Sequence, residues 1–386
     1  MSSTTSLRRS RIAITLSFFI FGVLTATLFS RFPAMASRLD LSLAQLSLVP
    51  LFMAVGSMLF MPVCANLVAR FGSKRLSLVA ILYFALFPLL ALMPNLYALY
   101  TMSLTLGVCT SMTDVSINAN SILLERLYQR PIISLFHAFY YIGMATGALI
   151  TVFVVQLGWS LMAHFAASAC FGLVSFALVR PRFIDDRPSV AQRPTERFTI
   201  LLPKGLLLLI AMIAFLGRII EGATSEWSTV YMNQIIELSE NLSPLGLAAY
   251  SLFISFGRLF GNQVRARYDD PTTLMWSCLI TVVGIGTLIS SPTVEVAIVG
   301  LFISGLGLSN VVPVIYSLAA ASTPANPGVG LATVNTISSI GYFFGPAVIG
   351  LIAERYSLRI SFGYVFLLCV ATSVLAWWHR RCASSI

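Results

Sequence analysis

The sequence predicts an all-α membrane protein whose twelve transmembrane helices form two pseudo-symmetric six-helix bundles. Of its 386 residues, 58% are hydrophobic and only 10% are charged, whereas soluble domains carry about 25% charged residues. The apolar residues fall in runs long enough to cross a bilayer as helices. No segment alternates apolar and polar residues over about ten positions, as a strand of a membrane β-barrel would.

Twelve apolar runs are candidate spans. They cover residues 12–32, 43–68, 76–94, 97–123, 132–156, 159–179, 204–232, 244–264, 272–291, 295–320, 329–352 and 360–379. The first run follows a basic stretch, Arg8 to Arg11, and ends near Ala34 and Ala36, which resemble a signal-peptidase site. Because this run is longer than a usual signal sequence and many spans follow it, we interpret it as the first membrane helix.

Lysine and arginine predict the orientation of the spans. If the N-terminus is inside, eighteen of the 24 basic residues lie in inner segments, four lie in outer segments, and Arg218 and Arg258 lie within spans. Basic residues concentrate on the cytoplasmic side of membrane proteins, so both termini and the longest loop are predicted to be cytoplasmic. The net charge of +10 is then a consequence of topology, and no nucleic-acid partner is expected.

The longest loop, rich in proline and charge, divides the chain. We predict an N-terminal six-helix bundle at 1–180, a cytoplasmic linker at 181–203 and a C-terminal six-helix bundle at 204–386. Short motifs recur in the two halves about 198 residues apart, for example Gly107 with Gly305. A parallel repeat of this kind is typical of transporters whose two halves rock about a site near the middle of the membrane.

The loop after the second span carries a family resemblance. Residues 65–75, ANLVARFGSKR, resemble the GxxxDRxGRKR signature of the major facilitator superfamily. The resemblance implies a carrier that works by alternating access, with Gly72 in a tight turn and Arg70, Lys74 and Arg75 in the cytoplasmic gate. Arg258, near the inner end of the eighth span, is a further gate candidate.

Other motifs resemble a subgroup of that family, the YbjJ-like transporters, which are related to sugar–proton symporters of the fucose permease kind. They are Ser30-Arg31-Phe32-Pro33, Leu39-xx-Ser42-xx-Gln45-Leu46, Asp114-xxx-Asn118-Ala119-Asn120, Ser134-xx-His137-Ala138-xxxx-Gly143-xxx-Gly147 and Glu221-Gly222-Ala223-xx-Glu226-Trp227-Ser228. In such symporters the fourth span has an acid followed by an asparagine four residues later. Asp114 and Asn118 match this spacing, and the resemblance implies a role for the acid in proton coupling.

The stretch from Gly107 to Glu125 places polar groups inside an otherwise apolar span. At helical spacing Ser111, Asp114, Asn118 and Ser121 share one face. A carboxylate at membrane depth costs about 2.5–3.5 kcal/mol, so we expect this face to line a wetted solute pathway. Asp114 is the first candidate for proton coupling. The alternative is a structural acid paired with a neighbouring helix.

Two further titratable groups are candidates for proton coupling. Glu221 lies in the seventh span, and its alternative role is a fixed ion pair with Arg218, one helical turn earlier. His137 lies in the fifth span and titrates near neutral pH when unperturbed, although a lone histidine on an apolar helix is more often a packing residue. Glu226 is expected nearer the outer surface, as a solute contact, interfacial anchor or outer gate.

Polar side chains of several spans are candidate solute contacts, because amides and hydroxyls both donate and accept hydrogen bonds. With Glu226 they are Ser111, Asn118, Arg31, Asn310 and Asn335. Hydrogen bonding between helices is the alternative for the amides and for Ser111, and for Arg31 the alternative is a side chain that reaches the membrane surface.

The sequence implies neither a cofactor nor a metal. The six cysteines are scattered and form no CxxC pair, and no GxxxxGK[ST] motif suggests ATP-driven transport. We expect no enzymatic activity. The expected partners are a small polar solute, protons and the lipid bilayer, and the protein is expected to be a monomer in the inner or plasma membrane.

The function predicted from the sequence is proton-coupled symport that takes up a small polar solute. The first alternative is a proton antiporter that exports a drug or metabolite. The second is a membrane sensor or assembly protein on the same fold that transports nothing.

Overall fold

The computed structural model describes residues 3–130, 132–186, 202–323 and 327–383. The chain divides into two compact units, of which unit 1 comprises Met1–Leu41 and Leu48–Glu196, and unit 2 comprises Ser42–Ser47 and Arg197–Ile386. This division falls inside the predicted linker, most of which lies outside the described residues. The proposed domain limits of 1–180 and 204–386 therefore remain predictions.

The first half of the chain contains eight α-helices. They are α1 (Ser3–Ser30), α2 (Phe32–Leu39), α3 (Leu43–Phe71), α4 (Ser73–Leu76), α5 (Ala80–Leu86), α6 (Leu96–Tyr128), α7 (Ile133–Gln156) and α8 (Leu161–Val179). The third predicted span is a composite, because α4 and α5 alternate with two short 3-10 segments, Ser77–Val79 and Phe87–Leu92.

The second half contains seven α-helices. They are α9 (Gly205–Gln234), α10 (Leu245–Arg267), α11 (Asp270–Ile289), α12 (Val294–Leu308), α13 (Val311–Ala321), α14 (Pro327–Arg355) and α15 (Leu358–Ala383). The tenth predicted span is interrupted at Ser309 and Asn310, where α12 ends and α13 begins. Each of the twelve predicted spans thus coincides with one helix or with one interrupted helix.

Ten segments of the described residues are long and apolar enough to cross a membrane. The two predicted spans outside this set are α6, which carries Asp114, and α10, which carries Arg258. Both are helical over their full length, and their polar side chains lower the hydropathy. The predicted all-α membrane fold is confirmed, and the two spans outside this set hold the candidate functional residues Asp114 and Arg258.

Close helix crossings recur in the two units at equivalent positions. A Cβ atom on Gly107 of α6 would overlap the carbonyl oxygen of Met53 in α3. In the second unit a Cβ atom on Gly305 of α12 would overlap the carbonyl oxygen of Tyr250 in α10. The two glycines are 198 residues apart and their partners 197, so the sequence repeat corresponds to the same contact made twice.

A second pair of crossings follows the same rule. Gly143 of α7 packs on the backbone of Phe19 in α1, and Gly341 of α14 packs on the backbone of Phe215 in α9. Small residues at such crossings let membrane helices approach closely. Gly143 and Gly341 therefore have the same packing role in the two units.

Candidate functional site

The acid of α6 lies at an accessible position halfway along the helix. Asp114 is exposed, and the side-chain amide of Asn118 donates to its carboxylate Oδ1 at 2.8 Å and to its backbone oxygen at 2.9 Å. The acid and amide therefore form one local pair, as their four-residue spacing permits. The amide holds the carboxylate on this helix face and leaves it accessible.

The rest of the predicted polar face of α6 is turned inward. Ser111 is 1% exposed, and its hydroxyl lies 3.6 Å from the Cys64 sulfur of α3. Ser121 donates to the backbone oxygen of Asn118 at 2.8 Å. Of the residues predicted to share this face, Asp114 and Asn118 are the accessible ones in this conformation.

Asn120 differs in role from Asn118 although the two are close in sequence. Its buried amide donates to Ser73 Oγ at 3.0 Å and to the carbonyl of Ile184 at 2.9 Å, and its oxygen accepts from the Ile184 N–H at 3.2 Å. Asn120 therefore ties α6 to the start of α4 and to the segment after α8.

The signature loop between α3 and α4 is fixed by its own backbone and by that same segment. Gly72 has φ +83°, in the region that favours glycine, and it produces the predicted tight turn. Lys74 Nζ donates to the carbonyls of Pro181 at 2.7 Å and Phe183 at 2.8 Å. The carboxylate of Asp186 accepts from the N–H groups of Ser73 and Lys74.

The other two basic gate candidates of this loop, Arg70 and Arg75, have exposed side chains. The guanidinium of Arg70 lies 5.3 Å from the centre of the Phe71 ring, and Arg75 is exposed. Of the predicted basic cluster, Lys74 is the side chain that bonds to the described residues after α8. The gating roles of Arg70, Gly72, Lys74 and Arg75 remain predictions.

In unit 2, one carboxylate is shared by two arginines. Glu221 of α9 is 2% exposed, and its Oε2 lies 2.7 Å from Arg218 Nη1, one turn earlier on the same helix. Its Oε1 lies 3.3 Å from Arg258 Nη2 of α10. Arg258, expected at the inner end of its helix, therefore links α10 to the carboxylate of α9.

Aromatic and amide groups surround this ion cluster. The guanidinium of Arg218 lies 4.4 Å from the centre of the Tyr342 ring of α14, a distance suited to a cation–π interaction. The hydroxyl of Tyr316 of α13 donates to Asn335 Oδ1 of α14 at 2.5 Å, and Tyr316 lies within electrostatic reach of Glu221 and both arginines. Tyr250 of α10 lies within the same reach. The cluster thus joins four helices of one unit.

Glu226, the second acid of α9, has a different environment. It is 4% exposed, and its Oε2 has no hydrogen-bond partner among the described residues. The next residue, Trp227, is fully buried and donates its indole N–H to the Pro346 carbonyl of α14 at 3.1 Å. This part of α9 is enclosed by its neighbours, so Glu226 is buried inside unit 2, and its roles as a solute contact, interfacial anchor or outer gate remain predictions.

Two other candidates, His137 and Asn310, are partly buried and contact neighbouring side chains. His137 of α7 is partly buried, and its ring meets the Phe18 ring edge-on at 5.1 Å. Asn310 lies at the interruption between α12 and α13, where its amide donates to Ser309 Oγ at 3.2 Å and its side chain packs against Gly261 of α10.

Arg31, between α1 and α2, is buried to 4% exposure. Its guanidinium donates to the Trp159 carbonyl at 3.4 Å, and His164 of α8 lies within its electrostatic reach. A side chain that extends to the membrane surface would be more exposed, so that interpretation of Arg31 is wrong.

Comparison with known proteins identifies the family. The sequence model of the Major Facilitator Superfamily matches residues 14–281, and a second, overlapping match covers 207–383. The chain belongs to the major facilitator superfamily. It is therefore a multi-pass membrane protein of a family of transporters.

Its similarity to other superfamily members extends over nearly the whole chain. It is 27% identical to an uncharacterised MFS-type transporter of Yersinia pestis over 95% of this chain and 94% of that protein. Among solved structures, it resembles a bacterial homologue of the human lysosomal transporter Spinster in an inward-facing, unoccupied conformation, with TM-score 0.76, 13% identity and 98% of each chain covered. It also resembles a variant of the nucleoside transporter NupG, with TM-score 0.74, 15% identity, and 97% of this chain and 99% of that chain covered. At these identities the two structures establish the fold.

The sequence predicts Arg258 as a gate residue but not as a partner of Glu221. It predicts Arg218 as a structural partner of Glu221, and it gives no indication of Tyr250, Tyr316 or Tyr342. Tyrosines are common in apolar helices, and their positions carry no spacing signal relative to Glu221. The presence of two arginines within spans was the available signal, because each buried cation requires an anionic or aromatic neighbour.

Proposed function

We propose that this superfamily member is a secondary transporter that takes up a small polar solute together with protons by alternating access. The observation that supports the proposal most is the exposed carboxylate of Asp114 halfway along a membrane-spanning helix. An exposed charge at that depth is costly against lipid and is tolerated beside water. A carboxylate that meets water within the membrane can bind and release a proton during transport.

The proposed roles follow from position and chemistry. Asp114, Glu221 and His137 are the titratable groups proposed for proton coupling, and Asn118 and Asn335 are the amides proposed to contact the solute. Ser111, Arg31 and Asn310 are buried or bonded locally, and as solute contacts they would first have to exchange these partners.

The ion cluster supports a conformational role for Arg258. Its contact with Glu221 is the charged link between α9 and α10 among the described residues. A buried ion pair between helices is maintained only while its geometry is good, so a shift of α10 along α9 would break it. We assign Arg258 to gating on this basis, with Arg70, Gly72, Lys74 and Arg75 as the gate elements of the signature loop.

The proposal also covers the subgroup of the superfamily to which the protein belongs and the membrane in which it lies. The motifs around Asp114 and Glu221 support placement among the YbjJ-like and fucose permease-related transporters. The distribution of basic residues supports the inner or plasma membrane with both termini in the cytoplasm. Export by proton antiport is the second candidate, because the same titratable groups could serve either direction.

Reconstitution into proteoliposomes tests the function. A thermal-shift screen of sugars, amino acids, nucleosides and organic acids first identifies a solute, since a ligand of the folded state raises its unfolding temperature. The radiolabelled solute should then accumulate inside liposomes when the outside is more acidic, and a protonophore should abolish the accumulation. Accumulation driven only by the opposite gradient would indicate export, and binding without flux would indicate a sensor.

A further inference from the structure

The second acid of α9 lies outside the ion cluster. All residues of α9 from Ile219 to Met232 are buried, and Glu226 lies in the middle of this segment with an Oε2 atom that has no protein partner among the described residues. The hydroxyls of Ser228 and Thr229 also lack partners there. Three unsatisfied polar side chains within four residues are unusual, because buried polar groups are nearly always hydrogen-bonded.

Within the part of the chain that the structure describes, Glu226 forms no ion pair. Helices α10, α12, α13, α14 and α15 pack against α9, and the Glu226 side chain is only 4% exposed among them. On those helices, Arg258 pairs with Glu221, Tyr342 contacts Arg218, and Tyr250 and Tyr316 lie within electrostatic reach of Glu221. Arg359 interacts with Tyr231, and Glu295 is exposed at the start of α12.

The two acids of α9 therefore favour different chemical forms. Both oxygens of Glu221 face guanidinium groups, which stabilise the carboxylate. An ionised carboxylate buried without a cation costs far more than its neutral form, and such a group takes up a proton instead. The surroundings of Glu226 suit the neutral acid.

We propose that Glu226 is a proton-binding site of the transporter, holding a proton in this conformation and releasing it when α9 becomes hydrated later in the cycle. On release the Glu226 O–H bond breaks, the proton passes to water, and the carboxylate becomes solvated. Reprotonation from the other side of the membrane restores the neutral acid. This role replaces the solute contact suggested for Glu226 by the sequence, and it rests on the proton coupling proposed above.

The position of Glu226 suits such a switch. The adjacent residue Trp227 bonds to the Pro346 carbonyl of α14, and Tyr231 donates to the Leu288 carbonyl of α11 at 3.2 Å. These two bonds fix the segment against two other helices in this conformation. A rearrangement of α14 about Pro346, where the helix lacks one backbone hydrogen bond, would change the surroundings of Glu226 directly.

Infrared spectroscopy of the protein reconstituted in lipid bilayers tests the proposal without a known solute. At neutral pH the wild type should show the C=O stretch of a protonated carboxylic acid, and the band should shift in D₂O as the proton exchanges. Glu226→Gln should lose this band, and Glu226→Asp should keep one at a changed frequency. The matched control Glu237→Gln, at an exposed acid just after α9, should leave the spectrum unchanged.

Two results would overturn the assignment: a wild type without the band, or a Glu226→Gln variant that keeps it. A band that never shifts in D₂O would also overturn it, because a sealed proton cannot be released during a cycle. Solute flux is measured separately in proteoliposomes. Flux that depends on the proton gradient but is unchanged in Glu226→Gln would refute the role of this residue and leave the proposed function standing.

Discussion

At the scale of single residues, the main feature is that the two buried acids of α9 differ in their partners: Glu221 contacts two arginines, whereas Glu226 forms no ion pair among the described residues. Glu221 sits between Arg218, which is 26% exposed, and Arg258, which is 6% exposed. A carboxylate in this position screens two cations from one another as well as pairing with each. Its removal therefore leaves two guanidinium groups close together at low dielectric, where their repulsion is strong.

Glu221→Gln should accordingly destabilise the fold. Loss of one member of a buried ion pair costs about 3–5 kcal/mol, and partial exposure of Arg218 places the expected loss at the lower end. The measurement is the thermal unfolding temperature of the purified variant, with Glu237→Gln as the exposed control. An unfolding temperature equal to that of the wild type would show that the ion cluster contributes little to stability.

Asn120 and Asn118 give a second contrast at this scale. Asn120→Ala removes three hydrogen bonds between segments. It leaves the buried Ser73 hydroxyl and the partly buried backbone groups of Ile184 without these partners, and an unsatisfied buried group costs about 1–3 kcal/mol. Asn118→Ala removes only bonds within α6 at an accessible position. We predict a clear drop in unfolding temperature for Asn120→Ala and a small one for Asn118→Ala. Equal drops would mean that the Asn120 contacts do not hold the loop.

At the scale of helices, glycine positions determine how closely spans approach. Gly305 allows α12 to contact the backbone of Tyr250, whereas a Cβ atom on Gly363 of α15 would meet nothing within 4 Å. An added methyl group in a tight contact costs about 1–3 kcal/mol or more, while alanine in an open helix position is favoured over glycine by about 0.5–1 kcal/mol.

Gly305→Ala should therefore reduce stability and yield, and Gly363→Ala should not. Both changes are identical in chemistry and lie inside helices of the same unit, so the comparison isolates the crossing. Monodispersity in detergent and unfolding temperature are the readouts. If both variants behave like the wild type, α10 and α12 can separate at this crossing at little cost.

Elements of the fold were more predictable than elements of the site. Twelve helices followed from the lengths of apolar runs, and the repeated glycines followed from motifs 198 residues apart. The interruption at Ser309 and Asn310 did not, because hydropathy continues across it. The proximity of Asp114 and Asn118 could be predicted because the two residues lie one turn apart on the same helix. The contact between Arg258 and Glu221 depends on how α10 packs on α9, and the sequence spacing of the two residues does not reveal it.

At the scale of the whole molecule, the two units share equivalent helix crossings but differ in their titratable residues. The position equivalent to Asp114 is Val312, and the ion cluster of Glu221 lies in unit 2 alone among the described residues. The two halves therefore share helix crossings but not titratable groups. We expect solute and proton coupling to depend on different residues in each half.

The most direct test of proton coupling is the effect of Asp114→Asn on the coupled flux. Asn retains an oxygen that can accept from the Asn118 amide, and position 114 is exposed, so folding should be preserved. Asp40→Asn, at an exposed acid with φ +52°, where asparagine is well tolerated, is the matched control.

The measurement is solute accumulation in proteoliposomes under an imposed proton gradient, alongside exchange of preloaded solute without a gradient. We predict that Asp114→Asn loses gradient-driven accumulation, while Asp40→Asn retains both activities and an unfolding temperature close to that of the wild type. Accumulation by Asp114→Asn at the wild-type level, with the same response to the proton gradient, would contradict the account.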